Sequence, residues 1–282
     1  MAVLAWFDAY ERPLPWRSTG PWGVLVSEFM LQQTPVDRVL PVWQEWMRRW
    51  PEPADLAATP LSDVLRAWGR LGYPRRAKRL HESAAIIVRE HGGAVPEEEA
   101  QLLALPGVGE YTAAAIRSFA FGRRSVVMDT NVRRVLARTL DGRALPPSHI
   151  TGPERSRADA LWPRTDARGA RWSAAVMEFG ALVCTARTPQ CGDCPVVQHC
   201  AWTSLGRPAD DTAPRRQTAY QGSDRQARGH LLSILRDRHS PTTAADLVDG
   251  WPDAEQARRA LDSLVSDGLV SRTRSGRYAL AG

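Results

Sequence analysis

Lysine is almost absent from this sequence of 282 residues, and long apolar runs are absent altogether. Lys78 is the only lysine among the 37 basic residues, so enzymes that form a Schiff base through a lysine amine are a poor match. The first thirty residues carry Asp8, Glu11 and Arg12 without a long apolar stretch, which argues against a signal peptide and a membrane span. We therefore expect a cytoplasmic protein without a membrane partner.

The charge balance favours a polyanionic partner. The formal net charge is +6 and the sequence pI is near 9.6, and each phosphate that a basic side chain neutralises releases a condensed counterion. This composition does not separate DNA from RNA, and codon bias in a GC-rich genome is the simpler explanation of the arginine excess.

Some of the eleven tryptophans fall at helical spacing, as Trp43, Trp46 and Trp50 do, which predicts a core stripe rather than a base-stacking platform.

The pattern of apolar residues predicts a mainly α protein. From Val24 to about Arg124, short amphipathic segments are interrupted by Pro and Gly, and no sustained alternation indicates strands. Helices are predicted over residues 22–33, 36–50, 61–68 and 75–91. The last of these carries a basic run that is either a solvated helix face or part of a DNA-binding surface: Arg75, Arg76, Lys78 and Arg79.

A second unit follows a predicted linker over residues 204–222, where Gly, Pro and Asp replace apolar residues. Within residues 223–282 the pattern predicts helices over 228–238, after Thr243 and over 254–267, followed by a hairpin around Ser275-Gly276. This order of elements resembles a winged-helix module, a fold that binds DNA in some proteins and docks a partner protein in others.

The four cysteines all fall within 17 residues: Cys184, Cys191, Cys194 and Cys200. In a reducing compartment such a group indicates metal ligands rather than two disulfides. Four thiolates can bind tetrahedral zinc or a [4Fe–4S] cluster, but structural zinc sites are usually built from two close pairs of ligands. Only Cys191 and Cys194 form such a pair, so the spacing favours the [4Fe–4S] cluster.

The segment Leu105-Pro106-Gly107-Val108-Gly109 connects two helical stretches, of which the earlier spans 97–104 and the later begins near Tyr111. Glycines at both ends of a tight turn let backbone N–H groups approach a phosphate, and the next helix adds the positive end of its dipole. Gly107, Val108 and Gly109 are therefore candidate DNA-binding residues of a helix-hairpin-helix motif. The alternative is an ordinary connection between two helices.

Two carboxylates have sequence contexts that suit acid–base work. Asp129 precedes an arginine-rich helix. One interpretation is that it is simply the N-cap of that helix. The other is that the helix N-terminus keeps its carboxylate ionised, so that it can stabilise a cationic sugar. Glu28 lies among Val24 and Leu31 at helical spacing, so partial desolvation should raise its pKa and let it hold a proton to donate. A raised-pKa acid paired with an ionised carboxylate is the division of labour in glycoside hydrolysis. The alternative for Glu28 is an ordinary surface position.

In this order, the motifs resemble the helix-hairpin-helix DNA glycosylase superfamily over residues 1 to about 203. Within it they resemble the MutY adenine DNA glycosylases, in particular short actinobacterial-type members. The segments that carry the resemblance are 14–17, 27–34, 71–73, 105–109 and 129–136, followed by the cysteine loop. The resemblance implies a mainly α, two-lobed fold with a [4Fe–4S] loop. We accordingly expect an iron–sulfur cluster domain made of residues 1–22 and 125–203 and a helix-hairpin-helix domain over 23–124, ahead of the winged-helix-like module.

The resemblance also implies an activity in base excision repair, the hydrolysis of the N-glycosidic bond of an adenine mispaired with 8-oxoguanine or guanine. The adenine is flipped out of double-stranded DNA for this reaction. Glu28 is expected to protonate the base at N7, and Asp129 to stabilise the oxocarbenium-like sugar or trap it covalently. Tyr111 and Asn131 match positions that support these carboxylates. The expected substrate contacts are Arg12, Trp16, Arg17 and Glu178 in the adenine pocket and Gln33 and Tyr73 as wedges in the base stack.

The residue after the hairpin separates two kinds of relative. Bifunctional relatives of the endonuclease III type place a Schiff-base lysine there, whereas this sequence has Tyr111, so no lyase step is expected. Mismatch thymine or uracil glycosylases also carry a tyrosine there and are the alternative within the superfamily. Glu28 favours adenine, because a purine offers N7 to a proton donor and thymine does not. A non-catalytic iron–sulfur DNA-binding regulator is the alternative from another class.

One departure from the MutY pattern concerns the C-terminal part. Many MutY enzymes continue into a Nudix-like domain that helps to recognise 8-oxoguanine, and nothing after Ala201 resembles it. We expect the winged-helix-like module to supplement DNA binding instead, or to dock a partner. We also expect a monomer that acts at the bacterial nucleoid.

Overall fold

The computed structural model describes residues 2–209 and 219–282, and most of them are helical. The middle of the predicted linker, residues 210–218, lies outside the described residues. In chain order the elements are α1 (Ala2–Tyr10), α2 (Pro21–Leu31), α3 (Val36–Arg49), α4 (Pro53–Ala57), α5 (Leu61–Trp68), α6 (Arg75–Glu90), α7 (Glu99–Ala104), α8 (Glu110–Phe121), α9 (Thr130–Asp141), α10 (Gly152–Leu161), α11 (Asp166–Leu182), α12 (Ala201–Ser204), α13 (Asp224–Asp237), α14 (Ala244–Val248), α15 (Ala254–Ser266), β1 (Val270–Arg272) and β2 (Tyr278–Leu280). The prediction of a mainly α protein is confirmed.

Helix ends follow local capping chemistry. The hydroxyl of Thr151 accepts a hydrogen bond from the Glu154 backbone N–H at 3.3 Å, and the Glu154 carboxylate accepts from the Thr151 N–H, which forms a capping box for α10. Helix α13 begins four residues earlier than predicted, because the Ser223 side chain caps it by accepting from the Gln226 N–H.

Contacts divide the described chain into two compact units. The first unit comprises residues 2–24, 97–104 and 108–209, and the second comprises 25–96, 105–107 and 219–282. The domain boundaries expected from the sequence stay a prediction.

The core of the first unit lies where α1 and α9 pack against α11. Phe7, Val132 and Phe179 are among its buried side chains. Beside this core, the guanidinium of Arg133 forms a buried two-pronged ion pair with Glu154, with Nε to Oε1 at 2.6 Å and Nη2 to Oε2 at 2.9 Å. This pair fixes the start of α10 to α9.

The core of the second unit is built around tryptophan. Trp43, Trp46 and Trp50 on and beside α3 are all buried, which confirms the predicted core stripe. The Trp46 ring lies edge-on to Trp50 and to Trp68, with centroid distances of 4.8 and 5.4 Å. Large rings in this arrangement let short helices bury a sizeable apolar area.

The C-terminal part of the second unit contains α13, α14, α15 and the antiparallel hairpin β1–β2, in which Val270 pairs with Leu280 and Arg272 with Tyr278. These are the elements that the sequence predicts in this part. Their likeness to a winged helix stays a prediction. In residues 2–209 and 219–282, no helix is long and apolar enough to cross a membrane.

Candidate functional site

Asp129 occupies the N-cap of α9 in the first unit. Its Oδ1 accepts a hydrogen bond from the Val132 N–H at 2.7 Å, and its Oδ2 accepts one from the Asn131 side-chain amide at 2.6 Å. Burial raises the pKa of Asp129, while the hydrogen bonds and the charge of Arg134 oppose that rise. Asp129 is thus both the helix cap and a desolvated carboxylate with fixed orientation.

The partner of Asn131 continues this network. Arg134 Nη2 donates to Asn131 Oδ1 at 2.8 Å and to the Gly180 carbonyl at 2.6 Å, and Arg134 Nε donates to the Cys184 carbonyl at 2.8 Å. A Cβ at Gly180 would lie 2.7 Å from the Asn131 carbonyl oxygen, so the close approach of α11 to α9 requires glycine there. Asp129 is therefore linked through two side chains to the start of the cysteine loop.

The cysteine loop begins against α9. Arg138 Nη1 donates to Cys184 Sγ at 3.4 Å and to the Thr185 carbonyl at 2.7 Å, and Arg138 Nη2 donates to the Ala186 carbonyl at 3.1 Å. Burial raises the pKa of the Cys184 thiol, and Arg138 opposes the rise. A cationic group next to the sulfur suits a thiolate ligand.

The four thiols share one neighbourhood. Burial raises the pKa of Cys194, and the charges of the other three cysteines raise it further, which means that all four sulfurs lie within electrostatic reach. Cys184, Cys191, Cys194 and Cys200 together supply the four thiolates that an iron–sulfur cluster needs, so the donor set fits that group.

All four residues expected in the adenine pocket belong to the first unit, and hydrogen bonds join three of them. Glu178 on α11 accepts from the Arg12 backbone N–H at 2.7 Å, from Arg12 Nη2 at 3.0 Å and from Arg17 Nη2 at 2.6 Å. Burial alone would raise the pKa of Glu178, but the two arginines outweigh it and the net shift is downward. Trp16 is buried in the short helical turn that carries Arg17.

The helix-hairpin-helix turn depends on glycine at one end. Gly107 has φ +85°, and a Cβ there would lie 2.9 Å from the Phe29 ring and 3.0 Å from Arg79 Cδ. Val108 is buried, so its side chain is not available to a ligand and only its backbone is. Gly109 is the N-cap of α8, with open space around its Cα, and half-buried Tyr111 follows in the first turn of that helix.

Glu28 lies on α2 in the second unit and is 5% exposed, between the fully buried Ser27 and Phe29. This burial excludes the alternative of a surface glutamate. The expectation that its helix face removes Glu28 from water is confirmed.

Two expected wedge residues share an uncommon backbone conformation in the second unit. Gln33 has φ +57° and Tyr73 has φ +46°, a region that residues other than glycine rarely adopt. Both side chains are exposed. Each side chain is therefore presented at the tip of a tight turn that the surrounding structure must hold.

Arg76 holds both turns. Its Nη1 donates to the carbonyls of Phe29, Met30 and Gln32 at 2.9, 2.9 and 2.5 Å. Its Nη2 donates to the Thr34 hydroxyl at 3.0 Å and to two carbonyls of the Tyr73 turn, those of Leu71 and Gly72, at 3.2 and 3.0 Å. Burial lowers the pKa of Arg76 to about 10, so the group is still cationic at neutral pH.

Sequence reasoning missed the roles of Arg76 and Arg134. Arg76 belongs to the basic run for which the sequence predicts a solvated helix face or a DNA-binding surface. For this residue both predictions are wrong, because its side chain is 6% exposed and bonds to backbone carbonyls. A signal was present: Leu80, Ala84 and Ile87 follow at spacings of four, eight and eleven, which puts Arg76 on the apolar face of α6.

Replacing Arg76 with lysine should lower the free energy of unfolding by about 3 kcal/mol, because one ammonium group cannot reach acceptors in both turns. Urea denaturation measures this loss. Arg89→Lys, at an exposed position of the same helix, is the control and should change stability by less than about 0.5 kcal/mol. Equal effects of the two substitutions would contradict the role given to Arg76.

Models of two protein families match this chain. That of the HhH-GPD superfamily of base excision DNA repair proteins matches residues 26–150, and that of the iron-sulfur binding domain of endonuclease III matches residues 184–200. The second match contains all four cysteines, so the predicted iron–sulfur cofactor is confirmed.

Solved structures share the fold. A thermostable thymine-DNA glycosylase superposes with a TM-score of 0.66 at 28% identity, covering 72% of this chain and 94% of that one. Endonuclease III in a non-covalent complex with DNA gives a TM-score of 0.62 at 24% identity, covering 73% of this chain and 94% of that one. These likenesses confirm the predicted helix-hairpin-helix glycosylase fold.

Several curated proteins of one kind are similar to this chain in sequence. Adenine DNA glycosylase of Mycobacterium tuberculosis is 52% identical over 283 residues, covering 99% of this chain and 92% of that protein. Adenine DNA glycosylase of Homo sapiens is 41% identical over 215 residues, covering 71% of this chain and 38% of the human protein. The chain therefore belongs to the adenine DNA glycosylases, within the HhH-GPD superfamily of base excision DNA repair proteins.

Proposed function

We propose that this protein is a monofunctional glycosylase that hydrolyses the N-glycosidic bond of adenine mispaired with 8-oxoguanine or guanine in double-stranded DNA. The main support is the 52% identity to an adenine DNA glycosylase over 99% of the chain. Carboxylates removed from water at the two positions expected to carry the chemistry, the buried Glu28 and the half-buried Asp129, are consistent with it. We further propose that it acts as a monomer at the nucleoid in the bacterial cytoplasm.

Glu28 is assigned to the base. Its carboxylic acid transfers a proton to N7 of adenine, the C1′–N9 bond breaks, and the bonding electron pair leaves with the base. The deoxyribose is then cationic. Water adds its hydroxyl at C1′, and its remaining proton restores the acid form of Glu28.

Asp129 is assigned to the sugar. An ionised carboxylate stabilises the cationic sugar electrostatically or bonds to C1′ until water displaces it. The hydrogen bonds from Val132 and Asn131 fix its orientation, so little reorganisation accompanies the development of charge. Arg134 adds a positive charge that favours the ionised form.

The four cysteines are assigned to the iron–sulfur cluster. When bound, the cluster cross-links four positions of the 184–200 segment and so makes that loop rigid. Arg134 and Arg138 connect the first of these positions to α9. The cluster would therefore support the position of Asp129 through Arg134 and Asn131.

A mismatch thymine glycosylase is the second candidate, because the fold matches a thymine-DNA glycosylase at 28% identity. The higher identity to adenine DNA glycosylases over nearly the whole chain outweighs it. A buried carboxylic acid at Glu28 also suits a purine, which offers N7, better than a pyrimidine.

Single-turnover base release tests the specificity. On duplexes that place adenine, thymine or uracil opposite guanine or 8-oxoguanine, we expect adenine to be released at both mispairs. Glu28→Gln should slow release by about 10²- to 10⁴-fold and Asp129→Asn by about 10²-fold or more, because each substitution keeps the shape and removes the acid or the charge. Glu98→Gln and Asp249→Asn, at exposed positions, are matched controls and should leave the rate unchanged.

Three results would contradict this proposal. Release of thymine or uracil in place of adenine would favour the second candidate. Absence of any base release from a protein with full iron content would favour a non-catalytic DNA-binding regulator. Equal losses in the control variants would show that the carboxylates have no special role.

Borohydride trapping tests the absence of a lyase step. The Nζ of Lys78, the one lysine, donates to the Asp267 carbonyl at 2.9 Å, and the position after the hairpin is Tyr111. We expect no covalent protein–DNA adduct when borohydride is added during adenine release, with a bifunctional endonuclease III as the positive control. Efficient trapping of this protein would contradict a monofunctional mechanism.

A further inference from the structure

The C-terminal part of the second unit, residues 219–282, is docked on the first turn of α6. The Asp267 carboxylate pairs with Arg75 of α6 and with Arg228 of α13, the latter at 2.5 Å. The Asp267 carbonyl accepts from Lys78 Nζ at 2.9 Å. Gly268, the next residue, has φ +65°, a backbone conformation that residues other than glycine rarely adopt.

A second set of contacts fixes the same docking at α5. Arg236 Nε donates to the Leu65 carbonyl at 3.0 Å, and Arg66 Nη2 donates to the Arg238 carbonyl at 3.2 Å. Strand β2 also contacts α5. With anchors on two helices, the C-terminal part has a defined position in the second unit.

This docking changes the interpretation of the basic run on α6. Arg75 and Lys78 both contact Asp267, so the two residues hold the C-terminal part whether or not they also lie near a nucleic acid. Arg75 is two residues from Tyr73, the exposed residue expected to enter the base stack. The contact places the C-terminal part directly beside the Tyr73 turn.

The β1–β2 hairpin carries a concentrated positive charge. Residues 269–281 contain three arginines and no acid, and Arg272, Arg274 and Arg277 are all exposed. The turn between the strands is closed by hydrogen bonds between Thr273 and Arg277 and lies at the opposite end of the hairpin from Leu280. Arg274 and Arg277 therefore lie at the tip of the hairpin, and Arg272 lies next to it at the end of β1.

We propose that the tip of this hairpin binds phosphates of the DNA duplex on one side of the mispair. The proposal rests on the proposed function and on the expectation from the sequence that Tyr73 enters the base stack. Arg274 follows Asp267 by seven positions, so the tip of the hairpin lies within about 25 Å of the Arg75 contact. With a rise of about 3.4 Å per base pair, the phosphates that the tip can reach lie up to about seven base pairs from the flipped base.

The test compares two charge-matched double variants. Arg274→Gln with Arg277→Gln removes the tip charges, whereas Arg48→Gln with Arg89→Gln removes two exposed charges elsewhere in the same unit. Dissociation constants are measured by fluorescence anisotropy over a range of salt concentrations. The probe is a duplex with 8-oxoguanine opposite an adenosine whose 2′-fluorine resists cleavage.

We expect a plot of the logarithm of the association constant against the logarithm of the salt concentration to become less steep. Its slope should decrease in magnitude by about 2 in the tip variant and by less than about 0.5 in the control. Trimming the duplex to about three base pairs on one side of the mispair should abolish the difference between wild type and tip variant, while trimming the other side should preserve it. Equal slopes for wild type and tip variant, equal losses in both variants, or a difference that survives both trimmed duplexes would overturn the proposal. Adenine release by the wild type on the unmodified duplex tests the proposed function separately.

Discussion

The planar guanidinium of Arg134 is the constraint on which the first unit depends. It reaches the Cys184 carbonyl, the Gly180 carbonyl and the Asn131 amide, and Asn131 in turn orients Asp129. A point charge such as an ammonium could not join three acceptors in fixed directions. The cysteine loop and the carboxylate assigned to the sugar are therefore parts of one hydrogen-bonded structure. This connection gives the cluster a structural role in an enzyme whose proposed reaction transfers no electrons.

The second unit uses arginine in the same way. Arg76 cross-links the turns of Gln33 and Tyr73, and the C-terminal part is anchored through Arg75 and Arg236. Codon bias accounts for the number of arginines, but the position of Arg76 depends on the forked geometry of the side chain, because both terminal nitrogens bond to backbone carbonyls. A buried arginine that bonds to backbone carbonyls can hold strained turns that apolar packing alone would leave mobile.

What the sequence predicted correctly follows from local rules. Apolar periodicity predicts α3, α5 and α6 to within one or two residues, because each of these helices has one clearly apolar face. Cysteine spacing predicts the cluster loop, since ligand chemistry limits the alternatives. Arg76 and Arg134 bond to acceptors more than forty residues away in sequence, and no local pattern encodes such partners. The docking of Asp267 on α6 was not predictable either. Asp267 and its partners on α6 are far apart in sequence, and a charged side chain has many possible partners before the chain folds.

The most direct test of the connection between the cysteine loop and Asp129 is to measure both iron content and single-turnover adenine release in Arg134→Gln. Arg138 still holds the Thr185 and Ala186 carbonyls in that variant, so the iron content should remain close to that of the wild type. Adenine release should fall by about tenfold to a hundredfold, because Asn131 loses the partner that orients it. Full iron content together with an unchanged rate of release would contradict this account.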